Sequence, residues 1–284
     1  METEKTAPPE IFWHCGMMRT GTTYLQSSVF PFFEGLHYIR KDEFAHRSAI
    51  MDAHPQARFL LSYEVYQGER GAEEIRSFAR QWPSARPILV LRQQGDWLRS
   101  EYKRLLKNGA VREFGEVWDP GNPAAIYQPS DLQLGDLISC LETSFEARPI
   151  LLLYEDLRAD GLAFIKDLAQ ITGASFGEQT VGLSPKHVSY GDRELRAFRA
   201  VTRFITLRRE APFRPVVLYQ AQRLFRDLLR YLVLYGSKIL PMGGAPLVSE
   251  ETLGAVDVFY REDWAHCRRL ASRDTPATSG PENP

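Results

Sequence analysis

The sequence predicts an α/β protein: a three-layer parallel sheet with a phosphate-loop-like strand–loop–helix near its start and a helical C-terminal region. Three observations carry this. Short, continuously apolar runs alternate with helix-period segments over the first 175 residues, as strands buried on both faces of a sheet do. The first run ends in a glycine-rich turn that opens a helix, HCGMMRTGTTYLQ at 14–26. Beyond about residue 190 the strand signals stop, and Leu, Phe, Val and Tyr recur at helical spacing.

Residues 1–9 are polar and proline-rich and read as loose. EIFWHCG (10–16) is a buried strand that halts at Gly16, and TGTTYLQSSVFPFF then starts a helix, with Thr20 and Thr22 near its start and Tyr24, Leu25 and Val29 at helical spacing. LHYIR reads as a second short strand, and KDEFAHRSAIM as the helix after it. RFLLSYE (58–64) is a third strand, followed by a helix from about Ala72 to Gln81. RPILVLR (86–92) is the clearest strand and passes through QQGD into the helix WLRSEYKRLLKN. The glycines, prolines and aromatics of 109–129 spell a long loop or lid. SDLQLGDLISCLET is a helix, RPILLLYE (148–155) a strand, and DLRADGLAFIKDLAQITG a helix. GDRELRAFRAVTRFITLRRE and VVLYQAQRLFRDLLRYLVLYG are amphipathic helices, and ASRDTPATSGPENP is a disordered tail by composition.

Composition narrows the function. The chain has 284 residues, 44% hydrophobic, with 25% charged and a net charge of -1, enough for one large core with an appended lobe and without the charge of a general nucleic-acid binder. Cys15, Cys140 and Cys267 are odd in number and far apart, which gives neither a disulfide framework nor a zinc knuckle. With no basic-plus-apolar leader in METEKTAPPE and no bilayer-length apolar run, the expectation is a reduced, cytoplasmic protein.

The loop holds the chemistry. A nucleoside-triphosphate loop of the Walker type reads G-x-x-x-x-G-K-[ST]. Here Gly16 and Gly21 keep the spacing, Thr22 stands in the lysine position with Thr23 after it, and the cation, Arg19, comes three residues earlier. In a parallel sheet this turn faces the ligand edge, and its glycines let backbone N–H groups approach an anion. Without the Walker lysine a triphosphate loses the group that neutralises its β- and γ-phosphates. A single 5′-phosphate with a neighbouring anionic group is the better match. A second anion site follows from Arg92 at a strand end and Ser100 eight residues on, with Asp96 able to cap the helix between.

Together, HCGMMRTGTTY, LVLRQQGDWLRSEY and YEDLRAD (154–160) resemble the sulfotransferases that use 3′-phosphoadenosine-5′-phosphosulfate, over about residues 11–175. The first loop of that family reads approximately P-K-S-G-T-T; this chain has Met18, Arg19 and Thr20 where the family has proline, lysine and serine. The resemblance implies one sulfotransferase-like domain over 10–284, with an α/β core to about 175, a helical lobe over about 190–270 and a tail over 271–284. It implies that Arg19, Thr20, Gly21, Thr22 and Thr23 hold the 5′-phosphosulfate, and that Arg92 and Ser100 hold the 3′-phosphate. Tyr24 stands where many members pack an aromatic on adenine; the alternative is a core residue of the first helix. KHVSYGDR (186–193) is the candidate for the basic segment that closes over the 3′-phosphate. Arginine at 19 stays charged and cannot act as a general acid near neutral pH, so its expected role is to stabilise negative charge.

Sulfuryl transfer to a hydroxyl also needs a base. Glu64, at the end of RFLLSYE, is the candidate, as carbohydrate-modifying members place a glutamate at about this point; the alternative is a surface or capping glutamate, and His187 is the rival base. The chemistry needs no metal, and the histidines lack metal-ligand spacing. From 192 to 239 there are eleven Lys/Arg against four Asp/Glu, either an amphipathic lobe with a solvated basic face or a surface for an anionic acceptor or for a membrane that holds one. The expected acceptor is a hydroxyl on a glycan, glycolipid or small molecule, with no nucleic-acid partner. A kinase that uses ATP and a non-catalytic nucleotide-binding protein are the alternatives.

Overall fold

The structure is a computed structural model that describes residues 9–110, 113–179, 181–182, 191–202 and 246–272, with isolated positions between 220 and 236. Five strands form one sheet: β1 (Ile11–His14), β2 (His37–Ile39), β3 (Phe59–Ser62), β4 (Arg86–Leu91) and β5 (Ile150–Leu153). All neighbours are parallel and the order is β2-β3-β1-β4-β5. The chain is therefore an α/β protein with the parallel sheet that its uninterrupted apolar runs predict.

Between the strands lie α1 (Thr22–Tyr24), α2 (Arg47–Ala53), α3 (Gly68–Gln81), α4 (Gln94–Lys107), α5 (Leu134–Ser144), α6 (Tyr154–Ala159) and α7 (Gly161–Thr172). Then come α8 (Asp192–Thr202), α9 (Glu250–Phe259) and α10 (Arg261–Ala271). Alternation along the strands fills both faces of the sheet. Phe12, Leu60, Ile88, Val90, Ile150 and Leu152 point to one side, where they meet Leu25, Val29 and Phe30 after the first loop and Phe164, Ile165 and Leu168 of α7. On the other side Trp13 stacks on Phe78 of α3 at 4.0 Å between centroids. α10 closes on α5 through Asp263, whose carboxylate accepts from the first two amides of α5, Leu134 N at 3.0 Å and Gly135 N at 2.9 Å.

The chain divides into two compact units. The first is 1–92, 131–186 and 261–284, and carries the whole sheet. The second is 93–130 and 187–260. Its interior includes Trp97, Tyr102, Trp118, Phe198 and Tyr260. Trp118 Nε1 donates to Tyr260 Oη at 2.9 Å, and Tyr260 Oη donates to the Pro129 carbonyl at 3.0 Å. Glu101, wholly buried, accepts from Tyr127 Oη at 2.9 Å and from the Arg104 guanidinium, so its charge has the partners that burial demands.

Several elements differ from the sequence reading: the helices expected over 41–51 and 130–143 each begin as a 3-10 turn, at Phe44–His46 and Pro129–Leu132. The helix expected over 156–173 is two helices, because the Asp160 carboxylate accepts from Ala163 N and starts a new helix at Gly161. The helix after the first loop runs only through Tyr24 as α-helix; Leu25–Val29 is a π-helical turn and Phe30–Phe32, with Pro31, a 3-10 turn. The fifth strand stops at Leu153, and Tyr154 begins α6. The 109–129 segment has little regular structure where it is described, one 3-10 turn at Phe114–Glu116. The expected closing segment at 186–193 lies outside the described residues up to residue 190, and the helix expected over 216–236 does so except at isolated positions.

Candidate active site

The order of the strands puts the site where the sheet reverses direction. From β1 the chain moves to β2 and β3 on one side, then crosses back to β4 and β5 on the other. The carboxyl ends of β1 and β4 are thus a topological switch point, the place where open α/β sheets bind ligands. The loop after β1 carries Arg19, and β4 ends at Leu91, directly before Arg92. The two are joined: Arg92 Nη1 donates to the Arg19 carbonyl at 2.8 Å. The Arg92 guanidinium also lies over the Tyr154 ring, 4.4 Å from its centroid. Tyr154, the first residue after β5, thus supports the Arg92 cation.

The loop turns through two left-handed residues. Arg19 has φ of 69° and Gly21 φ of 84°. Gly21 suits that conformation and also has α6 against it, since a Cβ there would lie 2.7 Å from Leu157 Cδ2. Arg19 does not suit it: the left-handed region costs a non-glycine residue about 1–2 kcal/mol. Among the described residues Arg19 alone bears that cost. Strain of this kind concentrates at ligand sites, and alternating right- and left-handed residues turn successive N–H groups into one concavity.

The threonines divide into two kinds. Thr20 and Thr22 are buried, and both hydroxyls donate to the Met17 carbonyl, at 2.7 and 3.0 Å. Their protons tie the loop to itself, so what they can offer a ligand is backbone N–H. Thr23 is exposed. Tyr24 is half-buried and packs against the core of the first unit, and burial raises its phenol pKa.

Glu64 stands beside this loop. The pairing of β1 with β3 continues past the strands as a parallel bridge between Met17 and Val65. Glu64 Oε2 accepts from Lys41 Nζ at 2.6 Å, the carboxylate being 19% exposed and the ammonium 51%, so solvent can reach the pair. Lys41 follows β2 by two residues and did not emerge from the sequence; nothing local marks a lysine for pairing with a glutamate 23 residues away. In strand order the carboxyl edge of the first unit reads Lys41 (β2), Glu64 (β3), Arg19 (β1), Arg92 (β4), Tyr154 (β5).

His14 ends β1 directly beneath the loop and is fully buried. Burial lowers its pKa to about 3, so the ring is neutral. Its Nδ1 is 2.7 Å from Ser62 Oγ, which also accepts from Gln26 Nε2 at 3.0 Å. Ser100 is partly buried on α4, in the second unit. His187 lies outside the described residues. Among the described residues no cluster of three or more His, Cys, Asp or Glu is arranged to hold a metal ion, and no helix is long and apolar enough to cross a membrane.

No protein-family model matches the chain, and no curated protein does. Among solved structures it is similar to a sulfotransferase from Alicyclobacillus acidocaldarius, at 14% identity and a TM-score of 0.46, over 75% of this chain and 99% of that one.

Proposed function

We propose that the chain is a sulfotransferase that moves a sulfuryl group from 3′-phosphoadenosine-5′-phosphosulfate to a hydroxyl on a carbohydrate, glycoconjugate or small-molecule acceptor. The observation that carries this reading is the junction at the switch point, where the Arg92 guanidinium holds the backbone carbonyl of Arg19 in a strained loop. A Walker loop concentrates its positive charge on one lysine beside one polyphosphate. Here two arginines lie on two separate strand ends, which fits a nucleotide with anionic groups at both its 5′ and 3′ positions.

The residues present fit the donor on three counts. The Gly16–Thr23 backbone offers a cradle of the right kind for the 5′ group. Arg92, with Ser100 eight residues on, matches the family pattern for the 3′-phosphate. Tyr24 is only partly buried, which suits the aromatic that packs on adenine in the family. The bound donor supplies the activated sulfuryl group. Arg19 stabilises the negative charge that develops beside the loop and, being permanently protonated, does so without giving up a proton. Glu64 takes the proton of the acceptor hydroxyl, and Lys41 holds the carboxylate in place until the acceptor arrives. A neighbouring cation that orients the base is a positioning device of the kind that makes transfer effectively intramolecular.

The test is thermal stabilisation by 3′,5′-adenosine bisphosphate, compared with 5′-AMP and with ATP plus magnesium. A preference for the bisphosphate that Arg92→Ala removes is expected. Glu64→Gln should keep that binding and lose sulfuryl transfer. A preference for ATP with magnesium overturns the reading in favour of a kinase, and bisphosphate binding with transfer unaffected by Glu64→Gln removes Glu64 from the base role.

A further inference from the structure

His14 has a hydrogen-bonding atom whose role the reading above leaves unassigned. Ser62 Oγ could accept from both neighbours, but its own hydrogen would then have no acceptor among the described residues, so the bonds around it favour one tautomer of the ring. Gln26 Nε2 can only donate, so Ser62 Oγ accepts from it. The hydroxyl hydrogen of Ser62 is then available for the close contact on its other side, His14 Nδ1 at 2.7 Å. Nδ1 is the acceptor in that arrangement, and a neutral imidazole with Nδ1 accepting carries its hydrogen on Nε2. This tautomer is assigned from the hydrogen-bond network.

That leaves His14 Nε2–H as a buried donor with no hydrogen-bond partner among the described residues. It faces the loop. A side chain added at Gly16 would lie 2.6 Å from Nε2 and 3.0 Å from Thr22 Oγ1, so Nε2 and the first helical residue after the loop both abut Gly16. Thr22 Oγ1 is already engaged with the Met17 carbonyl. A buried donor without an acceptor is costly, and in a native protein it calls for a partner that arrives with function.

We propose that His14 is a binding residue of the loop, locked by Ser62 and Gln26 as the Nε2–H tautomer so that it donates to an oxyanion of the ligand seated on Gly16–Thr23. The inference rests on the reading of that loop as an anion site and extends it to a neutral donor supplied from β1 below. Gly16 is the residue whose lack of a side chain lets the imidazole come this close. Ser62 and Gln26 are positioning residues: they act on the ligand through the tautomer they impose.

Two measurements test this on the full chain with 3′,5′-adenosine bisphosphate as the probe. The first is the dissociation constant of wild type and of His14→Phe, each at a temperature where the free protein is folded. Phenylalanine keeps a ring beside Phe30 and removes the donor. A loss of affinity of about tenfold or more is expected, as for a hydrogen bond to a charged acceptor, with a smaller loss for Ser62→Ala, which frees the tautomer. The second is the ¹⁵N resonance of His14 Nε2 in the wild-type chain. It should report a protonated, neutral nitrogen before addition of the probe and shift on saturation. Binding by wild type with His14→Phe unchanged and no shift at Nε2 overturns the role of His14 and leaves the loop reading standing. No binding by the wild-type chain overturns the sulfotransferase reading and this inference with it.

Discussion

Replacing Arg92 with alanine removes two contacts whose size the structure sets, together with a positive charge. The hydrogen bond from Nη1 to the Arg19 carbonyl, at 2.8 Å, is charge-assisted and contributes about 1.5–3 kcal/mol. The guanidinium over Tyr154, 4.4 Å from the ring centroid, adds about 0.5–1 kcal/mol at a partly exposed site. The third loss is the positive charge itself, which matters only to a bound anion. The free protein should therefore lose about 2–4 kcal/mol, or roughly 4–8 °C in melting temperature for a chain of this size. Stabilisation by 3′,5′-adenosine bisphosphate should fall much further than stabilisation by 5′-AMP. Differential scanning fluorimetry on the free and ligand-saturated proteins reads both quantities. Arg92→Lys separates them further: it restores the charge without the planar stacking surface, so its free form should melt between the alanine variant and wild type. If Arg92→Ala melts within a degree of wild type and keeps the full bisphosphate shift, Arg92 holds neither the loop nor the ligand.

Four further outcomes are expected. Arg19→Gly relieves the left-handed backbone and should leave the free protein at least as stable as Arg19→Ala, by roughly 1 kcal/mol, while both lose bisphosphate binding; equal melting temperatures would contradict the strain. Gly16→Ala drives a methyl to 2.6 Å from His14 Nε2 and should cost about 1–3 kcal/mol in denaturant unfolding. Because the folded His14 pKa, about 3, lies below its ordinary 6.5, the unfolded chain binds more protons between these values, and its contribution to stability is complete above pH 6.5. It should fall by up to about 1.4 kcal/mol per pH unit on the way down to pH 3, a slope missing in His14→Phe when urea midpoints are compared across that range. Burial pushes the Cys15 thiol up to about 12 and raises the Cys267 thiol as well, so iodoacetamide at neutral pH should label Cys140 first by mass spectrometry of the native protein.

The sheet was legible because strands buried on both faces leave continuous apolar runs, and RFLLSYE, RPILVLR and RPILLLYE contain β3, β4 and β5. The loop was legible because its glycine spacing is local, and it faces the ligand edge once the strands are parallel. Less visible was everything decided by contact between distant segments. Lys41 meets Glu64 from another strand end, Tyr154 supports Arg92 from the end of the neighbouring strand, and Thr20 and Thr22 turn their hydroxyls to the Met17 carbonyl. The left-handed backbone of Arg19 also escaped the sequence, where only a glycine would have announced it. The break at Asp160 was available: Asp-Gly before an apolar stretch is a helix start, and the apolar periodicity running through it masked the signal.

The bond between Asp263 and the start of α5 has a consequence for how this protein is made. Every strand of the sheet has been synthesised once residue 153 is added, yet the carboxylate that completes α5 belongs to a helix that begins only at Arg261. At ribosomal rates of about 5–20 residues per second, the roughly 110 intervening residues take on the order of 6–22 s. Through that interval the nascent first unit has its sheet and its first loop but lacks the cover of α10, and two amides of α5 wait for their acceptor. The second unit is translated largely within the same window, before the first can close. Vectorial synthesis thus obliges the core to remain ajar while its insertions are made, and the chain's vulnerability to proteases and to chaperone capture should be concentrated there.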